Sequence, residues 1–344
     1  MSTSPLKFAV IGCGPAAQNH LHAWREVPGA KLAAVCDTNA ARAETAAAQF
    51  GGTVYTSVQQ MLQTETLDFV DLAVPVETHA ELIALAAAHK KHIIAETPYA
   101  QSVAEAKTLN AVCRDAGVRL MVHESLRWHP GMRAVKAGLQ HPDAGKLYAG
   151  RISFRAPIAL LTSRAGAAAE EHLALRRLGI HFLDLARFFF GDVKGLYCQT
   201  QTLTPGLKGD DVVSIMLRFA SGAACVVEIN LASSIESVPT TQMRLECEGG
   251  FIELDGAMTL TRNFRGNVET SSLVASQSMV PSPYLALPFA YDSHFAATVA
   301  IQNHWVEALN ANTPPETSGA DNLRSLALML GAYESARTRQ VFTP

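Results

Sequence analysis

A short apolar run near the start of the chain breaks abruptly into a glycine turn. Residues 8–11, Phe-Ala-Val-Ile, precede Gly-Cys-Gly-Pro-Ala-Ala at residues 12–17, and a helical pattern follows. This order is typical of a strand, a tight turn and a helix, in which Gly12 permits the turn and Gly14 lets a pyrophosphate approach the backbone. The third position needs only a small residue, here Ala17. The alternative is an ordinary strand-to-helix turn, so the segments that follow must distinguish the two.

A dinucleotide at this turn would place its diphosphate on the start of the helix. An anion suits that position because the first N–H groups of a helix have no partner within the helix and carry a partial positive charge. The predicted cofactor contacts come from the turn and the residues directly after it: Gly12, Gly14, Pro15 and Ala16.

The second apolar strand, residues 31–36, ends at Asp37, 25 positions after Gly12 (37 minus 12). An acidic residue about 20 positions beyond the glycines accepts hydrogen bonds from the adenosine ribose, and its charge repels a 2′-phosphate. The sequence therefore predicts NAD as the cofactor, although the nearby Arg42 would tolerate the extra phosphate of NADP. Alternatively, Asp37 only caps the helix that starts near Asn39.

Strands and helices alternate up to residue 123. The predicted strands are residues 8–11, 31–36, 54–55, 69–74, 92–95 and 119–122. Such alternation predicts an α/β Rossmann domain, a doubly wound parallel sheet covered on both faces, over residues 1–123. Ligands bind at the carboxyl ends of such strands. Further cofactor contacts are therefore expected from the ends of the fourth and fifth strands: Val74, Pro75, Glu96 and Thr97.

Beyond residue 123 the pattern changes. Strand-like runs follow one another at residues 146–154, 195–202, 211–219, 223–231, 242–248 and 250–254. Runs of strands without intervening helices predict an α+β domain with an open, mostly antiparallel sheet, over residues 124–344. One long helical segment, residues 172–190, interrupts them. Residues 262–288, rich in Ser, Pro and Asn, predict an irregular loop, and two helices near residues 293–310 and 320–337 end the chain.

Composition excludes several classes of protein. The chain has 344 residues, of which 48% are hydrophobic and 17% are charged, as expected for about two globular domains. The net charge of −3, without a basic run, argues against a nucleic-acid partner. No apolar run approaches the ~18 residues of a membrane span, and the N-terminus lacks a secretory apolar region. We therefore expect a cytoplasmic protein without a membrane partner.

The cysteines indicate neither a disulfide framework nor a metal site. No two of them have C-x-x-C spacing, and several lie in apolar strand-like runs where cysteine behaves as a small hydrophobic residue. We expect all six to be buried, reduced thiols: Cys13, Cys36, Cys113, Cys198, Cys225 and Cys247.

Seven segments carry a likeness to a known family: GCGPAA (12–17), VCDTN (35–39), VPVETHAEL (74–82), KHIIAETP (91–98), LRWHP (126–130), GIHFLDLARFFFGD (179–192) and DNLRSLALMLGAYESA (321–336). Together, in this order, they resemble the Gfo/Idh/MocA family, named after glucose-fructose oxidoreductase and inositol dehydrogenase. The resemblance implies a Rossmann domain followed by an open sheet that serves substrate binding and oligomer contacts. It also implies a small-molecule substrate and a homo-oligomer, a dimer or a tetramer.

The family's usual catalytic groups are only partly present. They are a lysine in an E-K-P tripeptide and an aspartate and a histidine spaced D-x-x-x-H. Here the tripeptide is Glu96-Thr97-Pro98, and the residue four before His181 is Arg177. A threonine hydroxyl does not ionise near neutral pH, whereas histidine, with a reference pKa of ~6.5, gives and takes protons. The resemblance therefore implies His181 as the acid/base group; the alternative is a histidine that only packs and hydrogen-bonds.

Other side chains are weaker candidates. Arg177, one turn before His181, would anchor a substrate carboxylate or phosphate through its planar fork of donors, or would form a salt bridge. Tyr99 would donate a proton if a nearby cation lowered its pKa. His79 matches a histidine that the family commonly carries, for which packing or a contact at the edge of the cofactor is expected.

The end of the sixth strand offers further substitutes for the missing lysine: His123, Glu124, Arg127 and His129. Each of them is equally consistent with a structural role. These residues lack the two-histidine spacing of a helical zinc site, so no metal is predicted.

The leading prediction is an NAD(P)-dependent oxidoreductase that acts on a sugar, a polyol or a related small hydroxy or carbonyl compound. Two alternatives stay open. Relatives with this fold also oxidise a substrate transiently, eliminate or hydrolyse, and reduce it again. Because both the lysine and the aspartate are replaced, a catalytically silent dinucleotide-binding or regulatory protein is the other alternative.

Overall fold

The computed structural model of the protein describes residues 4–162, 166–233, 239–273 and 291–344. The chain divides into two compact units. The first unit comprises the described residues up to Ser125 and the segment Phe295–Leu326. The second comprises the described residues within Leu126–His294 and the segment Ala327–Pro344. The first unit thus extends two residues past the predicted boundary at 123 and takes in a distant segment that the sequence assigned to the second domain.

Ten α-helices lie in the described part of the chain: α1 (Pro15–Trp24), α2 (Ala40–Phe50), α3 (Val58–Thr64), α4 (His79–Ala88), α5 (Val103–Ala116), α6 (Pro130–Gly138), α7 (Ala159–Thr162), α8 (Ile180–Phe190), α9 (Tyr291–Asn310) and α10 (Gly319–Thr338). Several begin at the small polar residues expected of N-caps. Ser57 and Ser102, for example, accept hydrogen bonds from the backbone of Gln60 and Glu105 at 3.3 and 3.1 Å. None of these helices combines the length and the apolar composition needed to cross a bilayer.

The first unit contains a six-stranded sheet in the order β3-β2-β1-β4-β5-β6, with every neighbouring pair parallel. Its strands are β1 (Leu6–Ile11), β2 (Ala30–Cys36), β3 (Thr53–Tyr55), β4 (Phe69–Leu72), β5 (His92–Ala95) and β6 (Leu120–Val122). The central strands are buried on both faces, which explains why they appear in the sequence as continuous apolar runs. The predicted Rossmann sheet is confirmed.

An aromatic cluster explains why a late segment of the chain belongs to the first unit. The ring of Phe8 lies 4.7 Å from Trp24 and 5.0 Å from Phe69, and Phe69 lies 5.9 Å from Trp305 of α9. Thr317 exchanges two hydrogen bonds with Val122 at the edge strand β6, each of 2.8 Å. These contacts depend on residues far apart in sequence, so periodicity along the chain does not disclose them.

The second unit contains an eight-stranded sheet in the order β14-β13-β12-β11-β7-β10-β9-β8. Its strands are β7 (Leu147–Arg155), β8 (Val193–Gln201), β9 (Val212–Phe219), β10 (Ala224–Asn230), β11 (Thr240–Cys247), β12 (Gly250–Leu254), β13 (Thr259–Phe264) and β14 (Asn267–Ser272). Only β7 and β10 are parallel neighbours. Strand β9 alternates buried and exposed residues, because one face of the sheet packs on a core and the other does not. The open, mostly antiparallel sheet is confirmed.

Two local expectations in the second unit are wrong. Residues 259–272 form the hairpin β13–β14, where the sequence predicted a loop from residue 262; the remainder of that predicted loop, 274–288, lies outside the described residues. The predicted helix 172–190 is a π-helical turn, Leu175–Gly179, followed by α8. Nearly all of α8 is buried. Its Phe182 packs at a tilt against Phe154 of the sheet at 5.2 Å, and its Phe190 stacks on Phe219 at 4.8 Å.

All six cysteines are buried and free, as predicted. Burial raises the pKa of the Cys13 and Cys198 thiols to about 12, with nearby carboxylates adding to the effect. Thiols of this kind stay protonated and unreactive near neutral pH.

Candidate functional site

The glycine turn lies at the carboxyl end of β1. Gly12 has a φ of +92°, in the left-handed region, and a Cβ built on it would lie 2.4 Å from the carbonyl oxygen of Ala73. The Gly12 N–H donates to the Cys36 carbonyl at 2.8 Å. Any side chain at position 12 would strain the backbone and clash with the adjoining strand end, so the turn requires glycine.

Gly14 has a different part in the same turn. It is the N-cap of α1, and no described atom lies within 4 Å of the position that its Cβ would take. Among the described residues no side chain caps this helix start, and the first turn of α1, which begins with Pro15, holds no acidic group. The turn therefore forms an open cradle of backbone N–H groups of the kind that binds a diphosphate.

Asp37 is half-buried at the end of β2 and is joined to the glycine turn. Its Oδ2 accepts the backbone N–H of Cys13 at 2.8 Å, and its Oδ1 accepts that of Asn39, also at 2.8 Å. The N-cap of α2 is Asn39, whose side chain accepts a hydrogen bond from the Arg42 N–H. The capping alternative for Asp37 is thus not what the structure shows, and the carboxylate instead ties the end of β2 to the glycine turn.

The end of β4 is fixed by His79. The Nε2 of this buried histidine donates to the Val74 carbonyl at 3.0 Å, and burial lowers the pKa of the imidazole despite that bond. The Pro75 carbonyl accepts the Thr78 hydroxyl at 2.8 Å. A neutral His79 therefore holds the Val74-Pro75 turn in place, which fits the packing role expected for it.

A chain of charged groups links α1, β4 and the end of β5; His20 and Asp71 are buried, and Glu96 is half-buried. His20 Nδ1 lies 3.0 and 2.9 Å from the two carboxylate oxygens of Asp71, and His20 Nε2 lies 2.6 Å from Glu96 Oε1. Trp24 Nε1 donates to Asp71 Oδ2 at 2.7 Å. Because carboxylates only accept hydrogen bonds, both ring nitrogens of His20 donate, and the imidazole is held as a cation.

The pKa values of this chain agree with its geometry. Burial alone would lower the pKa of His20, but the charges and hydrogen bonds of Asp71 and Glu96 raise it to about 10. Burial alone would raise the pKa of Glu96, but the hydrogen bond and charge of His20, with smaller contributions from His123 and the Thr97 N–H, hold it well below its usual range. Glu96 is therefore a carboxylate near neutral pH.

His123 stacks on His20 with ring centroids 4.1 Å apart, and its Nδ1 lies 3.9 Å from Glu96 Oε1. His20, Glu96 and His123 together offer a possible three-ligand cation site. The 2.6 Å between His20 Nε2 and Glu96 Oε1 is shorter than the about 3.3 Å that separates two tetrahedral zinc ligands. A shared proton fits this distance better than a metal ion does.

His20 and Asp71 are functional candidates that the sequence reasoning missed. Asp71 follows Phe69 and Val70 in a strand that is otherwise apolar and fully buried. A buried carboxylate requires hydrogen-bonded or charged partners. An acidic residue inside an apolar strand was therefore the available signal, although it does not indicate which residue is the partner.

Thr97 and Tyr99 differ in their surroundings. The Thr97 N–H donates to Glu96 Oε2 at 3.0 Å, so this residue helps to orient the carboxylate beside it. The Tyr99 hydroxyl is fully buried, donates to the Gly319 carbonyl at 2.9 Å and accepts from the Asn110 side chain at 3.1 Å. Burial raises its pKa, whereas the proton-donor role supposed that a cation lowers it. Tyr99 therefore has the environment of a structural residue.

His181 and Arg177 lie in the second unit. His181 is half-buried in the first turn of α8. Arg177 belongs to the π-helical turn before it and forms a half-buried ion pair with both carboxylate oxygens of Glu170, with Nε 3.0 Å from Oε2. Of the two roles considered for Arg177, the structure shows the salt bridge.

The start of this helical segment is fixed by a buried carboxylate. Asp210 accepts the backbone N–H groups of Leu173 and Leu175 at 2.9 and 2.6 Å and the Tyr333 hydroxyl at 3.0 Å. The same hydroxyl accepts the Arg176 N–H at 3.0 Å. Asp210 and Tyr333 thus stabilise the turn that leads into His181.

Two of the other candidates after β6, Arg127 and His129, have structural partners. Arg127 and Asp184 form a buried, bidentate ion pair, with nitrogen-to-oxygen distances of 2.8 and 2.5 Å. His129 caps α6, since its Nδ1 accepts the Gly131 N–H at 3.0 Å. Glu124 is buried.

Comparison with known proteins agrees with this architecture. An oxidoreductase family with an NAD-binding Rossmann fold, Gfo/Idh/MocA, matches residues 6–124, and the Gfo/Idh/MocA C-terminal domain matches residues 132–253. Two similar proteins are named D-apiose dehydrogenase. One, from Paraburkholderia graminis, is 36% identical over 96% of this chain and 88% of its own; the other, from Rhizobium rhizogenes, is 35% identical over 98% and 96%.

A solved structure is also similar over nearly the whole chain. It is an oxidoreductase from Agrobacterium radiobacter in complex with NAD⁺, L-tartaric acid and magnesium. It is 35% identical to this chain, covers 99% of it and 98% of its own length, and superimposes with a TM-score of 0.92.

Proposed function

Since the chain belongs to the Gfo/Idh/MocA family of NAD-binding oxidoreductases, we propose that it is an NAD-dependent dehydrogenase that oxidises a hydroxyl group of a small sugar. The observation that carries the substrate class is the likeness, over nearly the full length, to two proteins named D-apiose dehydrogenase. D-apiose is therefore the first substrate to test, ahead of other pentoses and polyols. The enzyme class and the cofactor follow from the family: the chain is an oxidoreductase that uses NAD.

The residues of the first unit fit this cofactor. The open cradle after Gly14 accommodates a diphosphate, and the Asp37 carboxylate accepts ribose hydroxyls while disfavouring a 2′-phosphate. Val74, Pro75, Glu96 and Thr97 follow β4 and β5 at the same edge of the sheet. When bound, NAD⁺ supplies the nicotinamide that accepts a hydride from the carbon that bears the hydroxyl.

In this proposal His181 takes the proton of the sugar hydroxyl. Loss of a hydride from that carbon requires a base for the hydroxyl proton, and a positioned base contributes about 10²- to 10⁴-fold to the rate. Thr97 does not supply one. Support for His181 comes from its half-buried position and from the bracing of the preceding turn by Asp210 and Tyr333.

A catalytically silent dinucleotide-binding protein is the second candidate. It is favoured by one observation: Arg177, which replaces the family's aspartate, is paired with Glu170. Such a protein would bind NAD without turning over any sugar.

The test is a titration followed by an assay. The purified protein is titrated with NAD⁺ and NADH, then incubated with NAD⁺ and D-apiose, other pentoses, polyols or L-tartrate while the absorbance of NADH is followed. NADH formation with a sugar supports the proposal. Tight binding of NAD⁺ without turnover of any compound would favour the silent protein.

The role of His181 needs its own comparison. His181→Gln should lower kcat by about 10²-fold or more and leave NAD⁺ binding unchanged. His141→Gln is the matched control, because His141 is an exposed histidine of the same unit. Full activity in His181→Gln would eliminate the residue as the acid/base group.

We also propose a homo-oligomer that uses the exposed face of the eight-stranded sheet. Met216 of β9 lies on that face and is 62% exposed, between the buried Ile215 and Leu217. Light scattering should give a mass of two or four chains, and a single-chain mass would contradict the assembly.

A further inference from the structure

Glu96 lies among the residues proposed to face the cofactor, but the proposed function gives no role to its buried partners His20 and Asp71. The His20 imidazolium joins the two carboxylates in the core of the first unit. Burying charges is expensive unless they are paired and hydrogen-bonded. The position of these three residues relative to the sheet indicates which part of a bound dinucleotide the Glu96 charge would act on.

The strand order indicates which half of the dinucleotide lies near Glu96. The diphosphate cradle follows β1, and Asp37, on the ribose of the adenosine half, follows its neighbour β2. The other half must then extend over the strands on the opposite side of β1, which are β4 and β5. Glu96 directly follows β5, so it lies at the edge of the sheet on the nicotinamide side.

The members of the chain are unequally accessible at this edge. The side chain of Glu96 is 29% exposed, whereas those of His20 and Asp71 are 2% and 0% exposed. The group nearest the ligand-binding edge is therefore the carboxylate, and the cation and the second carboxylate lie behind it. The residue that follows Glu96 in the sequence is Thr97, which adds no positive charge and instead donates its N–H to Glu96.

Oxidised and reduced nicotinamide differ by one unit of charge, since the ring of NAD⁺ is a cation and that of NADH is neutral. We propose that the Glu96 carboxylate, held in place by His20 and Asp71, makes this site bind NAD⁺ in preference to NADH. This preference deepens the proposed function, and its benefit during turnover rests on that function, because a site that releases NADH readily suits sugar oxidation. The preference for NAD⁺ over NADH itself requires only that the protein binds NAD.

The test is binding without substrate. Dissociation constants for NAD⁺ and NADH are measured by calorimetry for the wild type and for Glu96→Gln, which keeps an oxygen acceptor for His20 but removes the charge. In the variant, NAD⁺ should weaken more than NADH, and the ratio Kd(NADH)/Kd(NAD⁺) should fall on the order of tenfold. An unchanged ratio would overturn the proposal.

Two further variants separate charge from folding. Thr97→Lys introduces a cation beside Glu96 and should lower the same ratio, even if Glu96→Gln fails to fold. Glu26→Gln removes an exposed carboxylate just after α1, at the opposite edge of the sheet, and should leave the ratio unchanged. A ratio that Thr97→Lys does not lower, or that Glu26→Gln lowers equally, counts against Glu96. Because no sugar is present, these outcomes are independent of whether the enzyme turns over D-apiose.

Discussion

The Asp37 carboxylate accepts the backbone N–H of Cys13 at 2.8 Å. In the proposed NAD complex, the acidic residue that faces the ribose would therefore also brace the turn that holds the diphosphate. Under the proposed function, cofactor choice and the shape of the glycine turn are coupled through the Asp37 side chain, and substitutions at position 37 can separate the two.

Asp37→Asn should shift cofactor preference towards NADP. Asparagine keeps an oxygen that can accept the Cys13 N–H but removes the charge that repels a 2′-phosphate. We expect the ratio Kd(NADP⁺)/Kd(NAD⁺) to fall by about tenfold or more, measured by titration. Asp115→Asn, an exposed carboxylate at the end of α5, is the control. The same ratio in wild type and Asp37→Asn would show that Asp37 does not face the ribose.

Gly12→Ala should lower the stability of the protein, whereas Gly14→Ala should weaken NAD⁺ binding. Alanine at position 12 is strained at φ +92° and clashes with the Ala73 carbonyl, which should cost about 2 kcal/mol or more in the free energy of unfolding. Alanine at position 14 meets no described atom within 4 Å and has an ordinary φ of −75°, so stability should hold. Its methyl group would occupy the diphosphate cradle and weaken NAD⁺ binding. Denaturant unfolding and NAD⁺ titration of both variants distinguish the effects, and normal NAD⁺ affinity in Gly14→Ala would refute the cradle.

The His20 cation should make stability fall as pH rises from 7 to 9. The pKa of His20 is raised from about 6.5 in the unfolded chain to about 10 in the folded protein. The stabilisation that the protonated imidazole gives is therefore complete below about pH 6.5 and is lost as the pH rises through about 10. Within this window the folded state retains a proton that the unfolded state has released. The contribution of His20 to the free energy of unfolding should therefore decrease by at most about 1.4 kcal/mol per pH unit.

The control for this pH dependence is His20→Gln, which cannot hold the proton. The comparison is the slope of unfolding free energy against pH, rather than stability at one pH, because the substitution also leaves two carboxylates without their shared cation. Identical slopes in wild type and variant would contradict a protonated His20.

Tyr333→Phe should affect turnover if the bracing of the π-helical turn positions His181. The substitution removes a hydroxyl that donates to Asp210 and accepts from the Arg176 N–H, while keeping the ring. We expect kcat with a sugar to fall several-fold, an altered pH profile of kcat, and unchanged NAD⁺ affinity. Tyr148→Phe, an exposed tyrosine on β7, is the matched control. A variant that loses stability but keeps the wild-type pH profile would assign Tyr333 a structural role only.

Much of the first unit could be predicted because its signals are local. The strands β1 and β4 to β6 are apolar runs separated by helical patterns, and a parallel sheet buried on both faces produces that pattern. Gly12 and Asp37 were identifiable for the same reason, since each has a fixed place relative to a strand end. The hairpin β13–β14 was missed because it is rich in polar residues, and those of β14 are all exposed, as in a loop.

The amino-acid sequence by itself determined the doubly wound sheet, the glycine turn, the acidic end of β2 and hence the kind of cofactor. Only the tertiary structure decided that Arg177 pairs with Glu170, that the Tyr99 hydroxyl is buried, and that His20 links Asp71 to Glu96, 51 and 76 positions away. The physical reason is that a strand's apolar pattern is a property of neighbouring residues. The state of a buried charge depends instead on partners that folding brings from distant parts of the chain.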